Sequence, residues 1–233
     1  MTVCCILGLG YIGLPTAAVL ARAGHRVIGV DVNPHVVSTV NDGRIHIVEP
    51  DLDQAVSVAV ESGALSADHT PAPADVFLIA VPTPFHSSSD SNPQPNIDYV
   101  LSAARSIAPV LRPGNLVLLE STSPVGTTEQ MAQVIEETCG LNSEQLHIAY
   151  CPERVLPGRI LQELISNDRV IGGLTPPAAE ACKSFYATFC RGSLLTTNAR
   201  TAELVKLTEN SFRDVNIAFA NELSLVCDHL GIK

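Results

Sequence analysis

The chain of 233 residues carries 24 acidic and 14 basic side chains, a net charge of −10, and its pI is near 5.0. That balance argues against nucleic acid or an anionic membrane surface as a partner, and no apolar run reaches membrane-spanning length. The length suits one sizeable core, or a domain plus part of another. Residues 1–8 show no charged segment ahead of an apolar one, so export is not expected. The cysteines number seven, an odd count without a Cys-x-x-Cys pair, which fits neither a disulfide framework nor a metal site. A reduced, cytoplasmic setting is the expectation.

The chain opens with an apolar run from Val3 to Leu7, which predicts a buried parallel strand, with Cys4 and Cys5 as small buried hydrophobes. The run breaks into Gly8-Leu9-Gly10-Tyr11-Ile12-Gly13, and Leu14, Ala17, Ala18 and Ala21 continue at helical spacing. Strand, glycine turn and helix in that order form a dinucleotide fingerprint. Gly8 allows the turn, Gly10 clears the approach of a pyrophosphate, and Gly13 lets helix and strand pack closely. The helix N-terminus then offers its N–H groups and dipole to the phosphates. A second strand, Arg26–Val30, ends at Asp31, whose carboxylate can accept both ribose hydroxyls and would repel a 2′-phosphate. The fingerprint predicts NAD rather than NADP.

Further on, strand-like and helix-like segments alternate, as a doubly wound, mostly parallel sheet of Rossmann type requires. Asp75–Val81 and Asn115–Glu120 are continuous apolar runs of strand length, and Leu146–Tyr150 and Arg169–Gly173 are shorter ones. The segment from Thr83 to Asn96, rich in Pro, Ser, Asn and Asp, predicts a surface loop. Ligands in such folds bind beyond the strands' carboxyl ends. That places weight on Pro82-Thr83-Pro84, on Ser121–Gly126, and on Cys151-Pro152-Glu153-Arg154.

From Asn198 to Leu230 no proline or glycine interrupts, which predicts one helix of about 30 residues, roughly 45 Å long. Lys206, Asn210 and Arg213 fall on one stripe, within about 60° of one another on a helical wheel. Leu204, Leu207, Phe212, Val215, Ala218, Phe219, Leu223 and Val226 occupy much of the remaining circumference. So wide an apolar surface predicts a mostly buried helix whose polar stripe lines a cleft. The expected organisation is a dinucleotide-binding domain over 1–197 followed by one long helix over 198–233.

These motifs carry a resemblance. Gly8–Pro15, Ile45-His46-Ile47-Val48-Glu49-Pro50, Val81-Pro82-Thr83-Pro84, Glu120–Gly126, Cys151–Gly158 and Ala202–Asn210 resemble, in order, those of the UDP-glucose/GDP-mannose dehydrogenase family. The Pro-Glu-Arg-Val-Leu-Pro-Gly run and the stretch from Glu209 to Asn216 are similar to the branch that acts on UDP-N-acetyl-D-mannosamine. The resemblance implies oxidation of a sugar C6 alcohol to a carboxylate, with two NAD reduced, for surface polysaccharide synthesis. It also implies that the long helix over 198–233 is the first of an all-α middle domain, and that a homodimer forms through that domain, here through the long helix.

By the same resemblance, Tyr11, Ile12, Asp31, Thr83 and Thr122 match cofactor-binding positions beside Gly8, Gly10 and Gly13. Arg154, Val155, Lys206, Asn210 and Arg213 match positions that hold the UDP-sugar. Lys206 matches a general acid/base or oxyanion-stabilising lysine, Asn210 its hydrogen-bond partner, and Glu153 a carboxylate that activates water. The alternative for Glu153 is an acid pairing with Arg154. The family's nucleophilic cysteine, in a Gly-Gly-x-Cys segment, has no counterpart here, so the chain is expected to be a fragment inactive alone. Two other readings remain: an NAD-binding or oligomerisation module without activity, and a 6-phosphogluconate- or 2-hydroxyacid-type dehydrogenase.

Overall fold

The computed structural model describes residues 1–86 and 93–232. Eight strands form one sheet in the order β3-β2-β1-β4-β5-β6-β7-β8. They are β1 (Val3–Leu7), β2 (Arg26–Val30), β3 (Leu65–Asp68), β4 (Val76–Ile79), β5 (Leu116–Leu119), β6 (His147–Tyr150), β7 (Arg169–Gly173) and β8 (Leu194–Asn198). Every neighbouring pair is parallel except β6 and β7. The fingerprint turn leads into α1 (Gly13–Arg22), followed by α2 (Pro34–Asn41) and α3 (Leu52–Glu61). After β4 come α4 (Asp98–Ile107), α5 (Thr127–Cys139), α6 (Ile160–Ser166), α7 (Pro176–Tyr186) and α8 (Ala199–Leu230).

The strands' alternation divides the core in two. Cys4, Ile6, Leu78 and Leu118 face one way and pack with Leu14 and Leu20 of α1 and Val56 of α3. Cys5, Phe77, Ile79 and Val117 face the other and pack with Val100 and Ala104 of α4 and Met131 and Ile135 of α5. A parallel sheet covered on both faces needs such near-continuous apolar strands, which is why the central strands were readable as apolar runs. The edge strands β3 and β8, with burial falling on only part of each, offered no such run.

The antiparallel step has a structural consequence. β7 begins beside the carboxyl end of β6, with Tyr150 opposite Gly172, so the connection from 151 to 168 stays at the carboxyl edge of the sheet. That loop is anchored by Glu49, 5% exposed, which accepts the Gly158 and Ile160 N–H groups at 2.9 and 2.8 Å and thereby caps α6. Among the residues expected in the Thr83–Asn96 loop, 87–92 lie outside the described residues. Its two ends pair through the His86 N–H to Gln94 and the Asn96 N–H to Pro84.

α8 runs for 32 residues with Asn198 as its cap, the Asn198 side chain accepting the Thr201 N–H. It starts in close contact with β7: a Cβ on Gly172 would lie 2.7 Å from the Ala199 Cα and from the Ala202 Cβ. Only Ala199, Ala202 and Glu203 of α8 are buried. The expectation of a mostly buried helix is therefore corrected. After its first turns α8 leaves the sheet, and Phe212, Val215 and Phe219 are 72%, 68% and 67% exposed. Circumferential apolarity signals burial only where neighbours exist on every side.

Candidate functional site

A cavity of about 770 Å³ opens along the carboxyl ends of β1, β2, β4, β5 and β6. Its lining starts with the fingerprint. Gly8 has φ +91° and donates its N–H to the Val30 carbonyl, and a Cβ there would meet the Ala80 carbonyl oxygen at 2.8 Å. A Cβ on Gly13 would lie 1.8 Å from the Gly8 carbonyl oxygen, so only glycine permits this closeness of helix and turn. Gly10 lines the cavity, and a Cβ there would meet no protein atom within 4 Å. α1 begins with no side-chain cap and no acid in its first turn. The positive end of its dipole is thus left for an anion.

Asp31 lines the same cavity. Its Oδ2 accepts the Leu9 N–H at 3.0 Å and its Oδ1 the Asn33 N–H at 2.9 Å, so the carboxylate is fixed by two backbone donors. Each oxygen keeps a further lone pair for a hydroxyl. Tyr11 and Ile12 also line the cavity. Thr83 and Thr122 approach from the ends of β4 and β5, and the Thr83 hydroxyl donates to the Thr122 carbonyl at 2.6 Å.

Glu153, Val155 and Lys206 line the same cavity, as do His46 and His69. The Lys206 ammonium donates to the backbone carbonyl of Glu153 at 2.5 Å, which ties α8 to the loop after β6. Burial and the nearby Arg213 lower its pKa below the ordinary lysine value, against the opposing pull of Glu209 and Glu153. The other matched residues do not all converge. Arg154, Asn210 and Arg213 are outside the cavity lining: Arg154 pairs with Glu209 at 2.5 Å, and Arg213 donates to the Asn210 side-chain oxygen at 2.8 Å. Of the polar stripe, only Lys206 lines the cleft.

Glu153 is 6% exposed and does not pair with Arg154. Its partner is Arg169, the first residue of β7, at 2.5 Å. The antiparallel start of β7 puts Arg169 beside this loop, while Arg154 is occupied by Glu209. Beside them stands Glu120, 2% exposed, at the end of β5. The Tyr186 hydroxyl donates to its Oε1 at 2.5 Å, and burial followed by the negative Glu153 pushes its carboxyl up to about 8.

Sequence reasoning assigned no role to Glu120, Arg169, Glu203 or Glu49. Glu203 is fully buried and accepts the N–H groups of Gly126 and Thr128 and the Thr128 hydroxyl at 2.6–2.8 Å, capping α5 from α8. The three acids among them lie in the motifs Ile45–Pro50, Glu120–Gly126 and Ala202–Asn210, each beside an apolar residue, which is the signal the sequence offers. None of the cysteines lines the cavity.

The family model for the UDP-glucose/GDP-mannose dehydrogenase NAD binding domain matches residues 1–190, and that for the family's central domain matches residues 200–233. The chain belongs to the UDP-glucose/GDP-mannose dehydrogenase family. It is 58% identical over 236 residues to a UDP-N-acetyl-D-mannosamine dehydrogenase of Yersinia pestis, covering 97% of this chain and 55% of that one. It is 57% identical, with the same coverages, to an NDP-N-acetyl-D-galactosaminuronic acid dehydrogenase of Ralstonia nicotianae. Among solved structures, the UDP-D-ManNAc dehydrogenase of Pyrococcus horikoshii superposes with a TM-score of 0.93 at 43% identity, covering 99% of this chain and 55% of that one. The chain therefore spans about half the length of the relatives it matches. Among the described residues no helix is long and apolar enough to cross a membrane.

Proposed function

We propose that the chain is the NAD-binding domain, residues 1–197, and the first central-domain helix, 198–233, of an enzyme that oxidises the C6 alcohol of UDP-N-acetyl-D-mannosamine to the uronic acid. The observation that carries this reading is one cavity that joins Gly10 and Asp31 to Glu153 and Lys206. The uncapped start of α1, the open space over Gly10 and the fixed Asp31 carboxylate fit a dinucleotide. Tyr11, Ile12, Thr83 and Thr122 would hold its remaining length. NAD, when bound, accepts hydride from the sugar.

The chain's own groups do the rest. Lys206, held by the Glu153 carbonyl and with its pKa lowered, stabilises oxyanion character at C6 or takes the hydroxyl proton. Val155 contacts the sugar end. Arg154, Asn210 and Arg213, at the outer part of α8 and its loop, reach the UDP-sugar once it enters. Glu153 supplies a carboxylate next to the reacting end. In a protein extended to its relatives' length, Lys206→Ala is expected to lower kcat about a hundredfold or more with a smaller change in KM. Oxidation of UDP-glucose but not of UDP-N-acetyl-D-mannosamine would refute the substrate assignment.

Asp31 makes NAD the expected cofactor, because Val32, Asn33, Pro34 and His35 offer no Lys or Arg to a 2′-phosphate. Asp31→Ala is expected to weaken NAD by about 1.5–3 kcal/mol for each charged hydrogen bond lost. Wild type should bind NADP far more weakly than NAD in the same titration, and equal dissociation constants refute the assignment. Residues 1–233 alone are expected to bind NAD without completing the oxidation, since no cysteine lines the cavity.

We infer also that the exposed apolar positions of α8 are covered by a second copy. Phe212, Val215, Phe219, Leu223 and Val226 all stand exposed or partly exposed along it. At ~25 cal/mol per Å² their burial favours association by several kcal/mol. Sedimentation equilibrium is expected to give a dimer, and an ordered monomer refutes it.

A further inference from the structure

We propose that Glu120 lets this cavity distinguish oxidised from reduced nicotinamide: as a carboxylate it holds the cationic ring of NAD+, and as the neutral acid it gives the neutral ring of NADH no disadvantage. The inference rests on the NAD reading above and adds to it a residue for which no role has been assigned.

Two buried carboxyls, Glu120 and Glu153, meet one buried cation, Arg169, which is 3% exposed. That cation makes no hydrogen bond to Glu120, and its buried Nε has no partner. Its Nη1 donates to Glu153, its Nη2 to the Leu164 carbonyl, and its guanidinium lies 4.4 Å over the Tyr186 ring. Glu120 has only the Tyr186 hydroxyl on Oε1, while its Oε2 is buried without a hydrogen-bond partner. Yet Glu120 lines the cavity. A buried carboxyl with an unmatched oxygen and no cation of its own is a site where a ligand's positive charge has most to contribute.

The position along the cavity identifies the part of the ligand. Asp31, the ribose-binding acid, ends β2, and Glu120 ends β5, three strand spacings away in the order β2-β1-β4-β5, about 14 Å. Glu120 shares its end of the cavity with Thr122, Glu153 and Lys206. If Lys206 handles the proton of the reacting alcohol, the redox ring belongs at this end. Oxidised nicotinamide carries a positive charge there, and reduced nicotinamide carries none.

The groups around Glu120 set its state. Glu153 and Cys151 follow β6, Arg169 starts β7, Tyr186 and Cys182 belong to α7, and Lys206 enters from α8. Burial and Glu153 raise its pKa to about 8, with Arg169 and the Tyr186 hydroxyl opposing, so the acid is protonated at neutral pH. NAD+ then binds with loss of that proton to solvent. The Glu120 O–H bond breaks, its electron pair stays on the carboxylate, and the new negative charge faces the ring. NADH gives no such drive. Both cofactors exclude water from the carboxyl equally, so the difference between them isolates the charge.

The test is calorimetry of NAD+ and NADH binding to the 233-residue chain in buffers of different protonation enthalpy. From about pH 6.5 to 9.5, NAD+ is expected to tighten about tenfold or more, one pKa unit of mutual stabilisation, while NADH changes less than about twofold. NAD+ should release protons near neutral pH. In Glu120→Gln both effects should vanish, whereas Lys206→Met, which removes a second titratable group from the same end of the cavity, should keep them, as should His46→Gln and His69→Gln, which remove the imidazoles that also line it. In Tyr186→Phe, a second variant should Glu120→Gln fail to fold, the midpoint should move to higher pH, because the lost hydroxyl favoured the carboxylate. Proton release that survives in Glu120→Gln, or NAD+ and NADH that track each other in the wild type, overturns the assignment. Failure of both forms to bind refutes the NAD reading itself, and the assignment with it.

Discussion

Glu203→Ala is expected to destabilise the chain by about 3–5 kcal/mol, because it leaves two backbone N–H groups and a hydroxyl without their charged acceptor. Those donors, from Gly126 and Thr128, are at the start of α5, and Glu203 is fully buried. The carboxylate also faces the positive end of the α5 dipole. The effect reaches the cavity, since Lys206 follows Glu203 by less than one helical turn and holds the Glu153 carbonyl. Without that cap, α8 is held at its start by its packing on β7 and by the exposed Arg200–Glu129 pair, and Lys206 is less firmly fixed over the loop. Glu203→Gln, which preserves one acceptor oxygen, is expected to lose less than half as much. Urea unfolding of the three proteins is the measurement, and an Ala variant within about 0.5 kcal/mol of wild type refutes the cap.

The parts of this molecule that were legible in its sequence are local. Gly8, Gly13 and Asp31 act within one strand–turn–helix–strand unit, and backbone sterics make the fingerprint visible without tertiary knowledge. Six strands were readable because both faces of the sheet are covered, and the long helix because nothing interrupts it. The edge strands β3 and β8 escaped because half-exposed strands carry no apolar run. The acids that assemble the site escaped for another reason. Glu203 finds Thr128 across 75 residues, and Glu49 finds Ile160 across 111. A carboxylate destined for a buried cap reads in sequence like one destined for solvent. Glu153 shows the same limit at short range: its neighbour Arg154 is the obvious partner, yet the chain turns it toward Glu209 and gives Glu153 to Arg169.

The contribution of Glu120 to stability is expected to fall as pH rises from about 4.5 to about 8, by on the order of 1 kcal/mol per pH unit. The sign follows from proton counting. Burial and Glu153 raise the folded pKa above the unfolded one, so between the two the folded chain holds a proton that the unfolded chain has released. Folding then binds a proton, and raising the pH opposes it. Below the unfolded pKa both states are protonated, and above the folded pKa both are ionised, so the contribution levels off at each end. Other groups titrate nearby. His25, lowered by burial, acts in the opposite sense, since its unfolded form binds the extra proton. Comparison with Glu120→Gln removes this background, because the amide keeps the shape and an acceptor for the Tyr186 hydroxyl but cannot ionise. The variant is expected to match wild type, up to a constant offset, near pH 4.5 and to gain a few kcal/mol relative to it by pH 8. Parallel curves for the two proteins across that range would show that Glu120 ionises in the fold as freely as in the unfolded chain. The carboxyl would then carry its charge throughout, with Arg169 shared between it and Glu153.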